Sequence, residues 1–426
     1  MNIHIKGCRL IDPKSGTDAR EDLFLAAGVV AAWGRAPKRF RADRTIDAKG
    51  LVVCPGLVDM SVRLREPGYE YRATLESEMQ AAVAGGVTSL ACPPDTDPPL
   101  DEPALVEMLK SRAKSLNLAR VYPLGALSAK LKGKRLAEMA ELAEAGCVAF
   151  SQADVPIVDT EVLWRAMQYA STYGFPVWLR PQDSFLAQGG VAHDGDVATR
   201  LGLPAIPSVA ETASLATMLQ LARSAGARLH VCRLSTAEAV AMVRRAKQEG
   251  QEVTCDVAVH HVHLCEVDIG YFDSHCHLVP PLRSQRDRDA LRAGLADGTI
   301  DAICSDHAPL DEDVKHMPFG ESEPGATAVE LLLSLTLKWA TEAGVPLVSA
   351  LGAVTSTPAS IMRVDAGTIG VGATADLCVF DPEAHVRITP ASLCSQGKNT
   401  PFVGYEVPGQ IRYTLVAGQV VYENAA

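Results

Sequence analysis

Eight short β-branched or apolar runs alternate with eight runs of helical spacing along residues 51–343, and this alternation constrains the fold more than any other feature. The strand candidates are 51–60, 87–92, 120–126, 147–150, 176–180, 228–234, 252–258 and 301–306. Helix candidates cover 74–84, 102–116, 135–145, 160–173, 208–225, 236–249, 287–297 and 326–343. In 208–225, Leu215, Met218, Leu219 and Ala222 recur at the interval of one helix face. Gly146, Gly174, Gly226, Gly250 and Gly298 follow helical runs, where a left-handed C-cap favours glycine. Repeated βα units build a parallel sheet, and eight of them predict a (β/α)8 barrel over an open doubly wound sheet.

The two ends read differently. Residues 1–50 and 366–426 lack long helical periodicity and carry short β runs: Ile3-His4-Ile5, Leu23-Phe24-Leu25, Leu377-Cys378-Val379-Phe380 and Thr414-Leu415-Val416. A chain of 426 residues, 47% of them hydrophobic, exceeds the usual single domain. The expected division is a composite small β domain from 1–54 and 366–426 and a barrel from 55–365.

A net charge of −11 argues against nucleic acid or an anionic membrane as partner. The 11 cysteines include no C-x-x-C pair, which fits a reducing cytosol better than a disulfide scaffold. The start, Met1 to Gly7, does not read as a signal peptide, and no apolar run is long enough to span a bilayer. A cytoplasmic location is expected. No G-x-S-x-G elbow, P-loop or G-x-G-x-x-G fingerprint is present, so those enzyme classes gain no support.

Residues 54–68 read Cys-Pro-Gly-Leu-Val-Asp-Met-Ser-Val-Arg-Leu-Arg-Glu-Pro-Gly. Together with 85–100 (GGVTSLACPPDTDPPL), 186–195 (LAQGGVAHDG), Glu211, 301–309 (DAICSDHAP), 318–325 (PFGESEPG), 367–382 (GTIGVGATADLCVFDP) and 399–404 (NTPFVG), they resemble the dihydroorotases. The likeness runs through nearly the whole chain. It implies a TIM-like barrel of the metal-dependent hydrolase type, with a binuclear centre at the C-terminal mouth that hydrolyses a cyclic amide.

The chain departs from that family where the chemistry sits. The family's His-x-His after the first strand is Ser61-Val62-Arg63 here. Such a pair on a strand directs both imidazoles to one side, but a guanidinium stays protonated and offers no lone pair to a metal. After Phe150-Ser151, the family's Asp-Asp-Gly is Gln152-Ala153-Asp154, so the bridging carboxylate is lost or displaced. At the fifth strand His-x-Glu-Asp has become Arg180-Pro181-Gln182-Asp183, and at the sixth the ligand His has become Arg233. Only Asp306 remains in place, and one carboxylate does not hold a metal against water. Of the substrate contacts, Arg65 is retained, while Asp95, Val279 and Leu310 replace Asn, Asn and His. Metal and cofactor are therefore expected to be absent, and these positions vestigial.

Three lost histidines are arginines. Arg63, Arg180 and Arg233 are expected to occupy the metal cavity and to face Asp306, with Asp95 as a further partner, because a buried lone carboxylate is costly. The alternative is that they extend to solvent at the barrel mouth. A second histidine group, His260, His261 and His263 with His275 and His277, leaves open a relocated metal site, although the His260-His261 pair matches the family and reads as structural. His307 beside Asp306 has no evident task without a metal.

The resemblance implies a specific role. Some bacteria carry an inactive dihydroorotase-like chain that binds aspartate carbamoyltransferase in a mixed dodecamer and is needed for its active form. This sequence looks like that chain. Two alternatives stay open. One is an amidohydrolase working through a relocated metal or without one. The other is a subunit that senses an anionic pyrimidine precursor or nucleotide through the arginine-lined mouth.

Overall fold

The computed structural model describes residues 1–424. Its centre is an all-parallel eight-stranded sheet of Leu57–Asp59, Val87–Cys92, Arg120–Ala126, Ala149–Ser151, Val177–Leu179, Leu229–Val231, Val253–Ala258 and Ala302–Cys304, paired in that order. The first and last strands do not share a ladder. They meet just beyond their C-terminal ends, at a bridge between Val62 and His307, where the Arg63 amide donates to the His307 carbonyl at 2.9 Å. The sheet is thus a nearly closed barrel.

The expected strand 51–60 is two strands. Val52–Pro55 joins the terminal sheet, antiparallel to Leu377–Arg387 and parallel to Ile3–Asp12, and Leu57–Asp59 opens the barrel. Gly56 makes the break possible: a Cβ there would lie 2.1 Å from the Thr88 hydroxyl. The terminal sheet draws strands from both chain ends and has its own core of Ile3, Ile5, Leu10, Leu23, Leu25, Val53, Leu377, Val379 and Leu415.

Helices wrap the barrel, and their starts follow local capping chemistry. Leu75–Ala84 begins with a Thr74/Ser77 capping box, Thr160–Tyr173 with Asp159, and Gln285–Ala296 with a Ser284/Asp287 box. Gly146, Gly174 and Gly226 adopt left-handed caps as expected. The helix expected over 135–145 begins only at Met139. Two further short helices, Leu347–Gly352 and Ser356–Met362, lie beyond the last expected helix. Ala359 and Met362 pack with the barrel-interior residues Val58, Leu124, Trp178 and Ala302, closing the end of the barrel opposite the mouth. No described helix is long and apolar enough to cross a membrane. All 11 cysteines are free.

Candidate functional site

Because the strands are parallel, residues following each one gather on one rim. Arg63, Arg180 and Arg233 come there from the first, fifth and sixth strands and are buried. They turn inward, as expected, rather than out to solvent. Arg63 Nη1 and Arg233 Nη1 donate to Asp306 Oδ1 at 3.1 and 2.9 Å, and the Ser61 hydroxyl donates to the same oxygen at 3.2 Å. Arg63 Nε donates to Asp95 Oδ2 at 2.8 Å.

The carboxylate that draws the three arginines together is Asp154. It accepts from Arg63 Nη2 at 2.5 Å, Arg180 Nε at 2.7 Å and Arg233 Nη2 at 2.5 Å. Its backbone carbonyl takes a further bond from Arg180 Nη2 at 3.2 Å. A carboxylate thus stands in the middle of the cluster, at position 154, and it bridges guanidinium groups. The sequence left open whether a carboxylate survives in 152–154 and gave Asp154 no role of its own. The signal that could have found it was charge balance: three inward guanidiniums against Asp95 and Asp306 leave one cation over, and Asp154 makes the count even.

Electrostatics follow the geometry. Burial would raise the Asp306 carboxyl, but Arg233 and Arg63 outweigh it and hold it below the ordinary range. Partial desolvation likewise opposes ionisation of Asp154, whose side chain is partly exposed, and Arg233, Arg63 and Arg180 overcome it. Arg63 and Arg233 are pushed up because their carboxylates outweigh desolvation. Arg180 is lowered, because burial exceeds what Asp154 returns.

The other positions separate. Gln152 does not join the arginine cluster: its Oε1 accepts from the Ser128 hydroxyl at 2.9 Å and its Nε2 donates to the Leu131 carbonyl at 2.8 Å. Arg65 is buried and donates through Nε to the Pro309 carbonyl, and burial together with Arg63 lowers it to about 10. Leu310 is buried, its amide held by Asn399. Val279 contributes its carbonyl, 3.5 Å from Arg233 Nη1. Arg65, Ala153, Arg233 and Asp306 all have φ between +46° and +62°, so the rim concentrates backbone strain.

The family's metals do not fit this donor set. At the positions expected to ligate them stand a hydroxyl, protonated guanidiniums and one ion-paired carboxylate, and the guanidinium heads meet on that carboxylate. The structure also separates the second histidine group. His260 and His261 are buried, His263 Nε2 bonds the Leu335 carbonyl, His275 pairs with exposed Asp273, and His277 bonds Ser322 and stacks on Phe319. The relocated centre expected there as an alternative is not assembled. Among the described residues, the one group of three metal-competent side chains is His230, Cys232 and Asp256. There His230 already bridges Asp256 Oδ2 at 2.9 Å and the Thr254 hydroxyl at 2.8 Å. His307 has a structural place. Its Nδ1 accepts from the amides of Ala328 and Val329, so its proton sits on Nε2 and is donated to Glu78 at 2.6 Å.

A barrel with its polar machinery on the C-terminal rim and a β domain from both termini is the architecture of cyclic-amide hydrolases. Residues 50–239 match the dihydro-orotase-like family and residues 187–421 the amidohydrolase family. The chain is 45% identical to the dihydroorotase-like protein of Pseudomonas putida, over 99% of both chains. It is 42% identical to the dihydroorotase of Citrifermentans bemidjiense, over 99% of this chain and all of that one. Among solved structures, the L-hydantoinase (dihydropyrimidinase) of Arthrobacter aurescens superimposes with a TM-score of 0.89 at 25% identity, covering 99% of this chain and 96% of that one. The chain belongs to the amidohydrolase family, in its dihydroorotase-like group.

Proposed function

We propose that this chain is a non-catalytic dihydroorotase homologue that serves as a structural subunit of aspartate carbamoyltransferase in the cytosol, as a mixed dodecamer. One observation carries the reading: Arg63, Arg180 and Arg233 stand where metal-ligating histidines are expected, and their charge is matched by Asp95, Asp154 and Asp306. Such a lattice replaces the metals as counter-charge and keeps the rim folded without supplying a Lewis acid or an activated water. Retention of the surrounding scaffold motifs is then explained by a role for the folded surface. Free cysteines support a reducing compartment.

The test has two parts. The purified chain is assayed for interconversion of dihydroorotate and carbamoyl aspartate with added zinc, and its mass is measured by light scattering with the transferase of the same organism. The reading expects no turnover and a defined mixed complex. Zinc-dependent turnover removes the non-catalytic claim, and unchanged masses remove the assembly claim.

A further inference from the structure

The three guanidiniums are held differently from the carboxylate they surround. The Arg63, Arg180 and Arg233 side chains are 8%, 3% and 5% exposed and follow closely on barrel strands, whereas the Asp154 side chain is 34% exposed. Asp154 lies on the irregular segment between the strand Ala149–Ser151 and the helix Thr160–Tyr173, flanked by exposed Val155 and Val158. Asp306 is the fixed wall of the cluster, on the rim just past the last strand, and only 10% exposed. The cations are therefore built into the scaffold, and one of their anions reaches in from a surface loop.

The three arginines do not depend on that anion equally. Arg63 keeps Asp95 and Asp306 without it, and Arg233 keeps Asp306. Among the described residues, Asp154 is the sole acidic partner of Arg180, whose other side-chain acceptor is Gln182. Replacing Asp154 by alanine leaves a buried guanidinium without a direct ion-pair partner, with only the more distant charge of Asp306, and a void the size of a carboxylate. A planar carboxylate offers two oxygens that match a guanidinium fork, which a spherical anion such as chloride does not. Arg65 neighbours the cradle, but its Nε is committed to the Pro309 carbonyl.

We propose that Arg63, Arg180 and Arg233 form a carboxylate-binding site that Asp154 fills from within the chain, and that a carboxylate from solution competes for it and releases the 152–159 loop. Ala153 holds a left-handed φ of +51°, strain that release of the loop can relax. The site stands independently of any assembly with the transferase, which can fail while the carboxylate response persists.

The experiment uses the full chain carrying Asp154→Ala. Its thermal midpoint is followed while sodium formate is titrated against sodium chloride at equal ionic strength. The expected result is a lowered midpoint and a saturable recovery of about half the loss or more with formate, absent with chloride. Equal responses to the two salts overturn the proposal. Recovery by inorganic phosphate and not by formate overturns the carboxylate assignment. A second arm uses the unmodified protein, so folding of the variant is not required. Hydrogen exchange at residues 152–159 is expected to rise saturably with formate, and no rise beyond the chloride control overturns the displacement.

Discussion

Asp306 receives its three side-chain hydrogen bonds on one oxygen, from Ser61, Arg63 and Arg233. An asparagine could keep that acceptor while removing the charge, so Asp306→Asn isolates the counter-charge role. Breaking one side of a buried ion pair costs on the order of 3 kcal/mol, and that loss is expected in urea unfolding at neutral pH. Unchanged stability would mean that Arg63 and Arg233 need no partner at this place. Asp59, fully buried beneath the same rim, makes the opposite case. Burial raises its carboxyl to about 6, and bonds from Ser305 and Ser61 offset only part of this. Its folded pKa lies above the unfolded value of about 3.9, so the native state loses relative stability as pH rises from about 4 to 6. The full penalty, about 3 kcal/mol, applies above that window. Asp59→Asn leaves Oδ1 to accept both amides. It should stabilise the protein at pH 8 by up to about 3 kcal/mol and have little effect at pH 4. A pH-independent effect would remove desolvation as the cause.

At the level of elements, the rim is held by clamps between segments distant in sequence. Asn399 Oδ1 accepts from the Leu310 amide and the Thr327 hydroxyl, both at 3.0 Å, and its Nδ2 donates to the carbonyls of Ala308 and Gly325. It sews the segment after the last barrel strand to the chain returning toward the β domain, which gives the family-like 399–404 stretch a structural reason. Asn399→Ala leaves these buried groups without partners and is expected to cost about 3 kcal/mol, measured by denaturant unfolding. A loss below about 1 kcal/mol would mean that water replaces the amide. The barrel elements were legible because hydrophobic period and glycine punctuation are local: Val87–Cys92 and Arg120–Ala126 fall on the expected residues. The break at Gly56 was not, because what it avoids is Thr88, on the neighbouring strand. The same divide runs through the site. Arg63, Arg180 and Arg233 could be placed from motif spacing, whereas Asp154 depends on the path of an irregular loop and Gln152 bonds Ser128 and Leu131 instead.

For the whole molecule, the deciding question is what neutralises the barrel mouth. If guanidiniums do, the fold needs no metal, because the positive charge is covalently part of the segments that follow barrel strands. Dialysis against a chelator should then leave the thermal midpoint unchanged within about 1 °C, since nothing that binds only the native state is removed. The opposite finding would be one zinc per chain whose removal lowers the midpoint. Such an ion would have to sit away from the arginines, and His230, Cys232 and Asp256 are the group with suitable donors among the described residues. Occupying it requires the His230–Asp256 hydrogen bond to open and the Cys232 thiol, raised well above its usual value by burial and then Asp256, to lose its proton. Both demands oppose binding. Cys232→Ser resolves the case: it should change neither metal content nor chelator response if the guanidinium lattice alone neutralises the mouth, and it should abolish both if an ion has moved into the barrel.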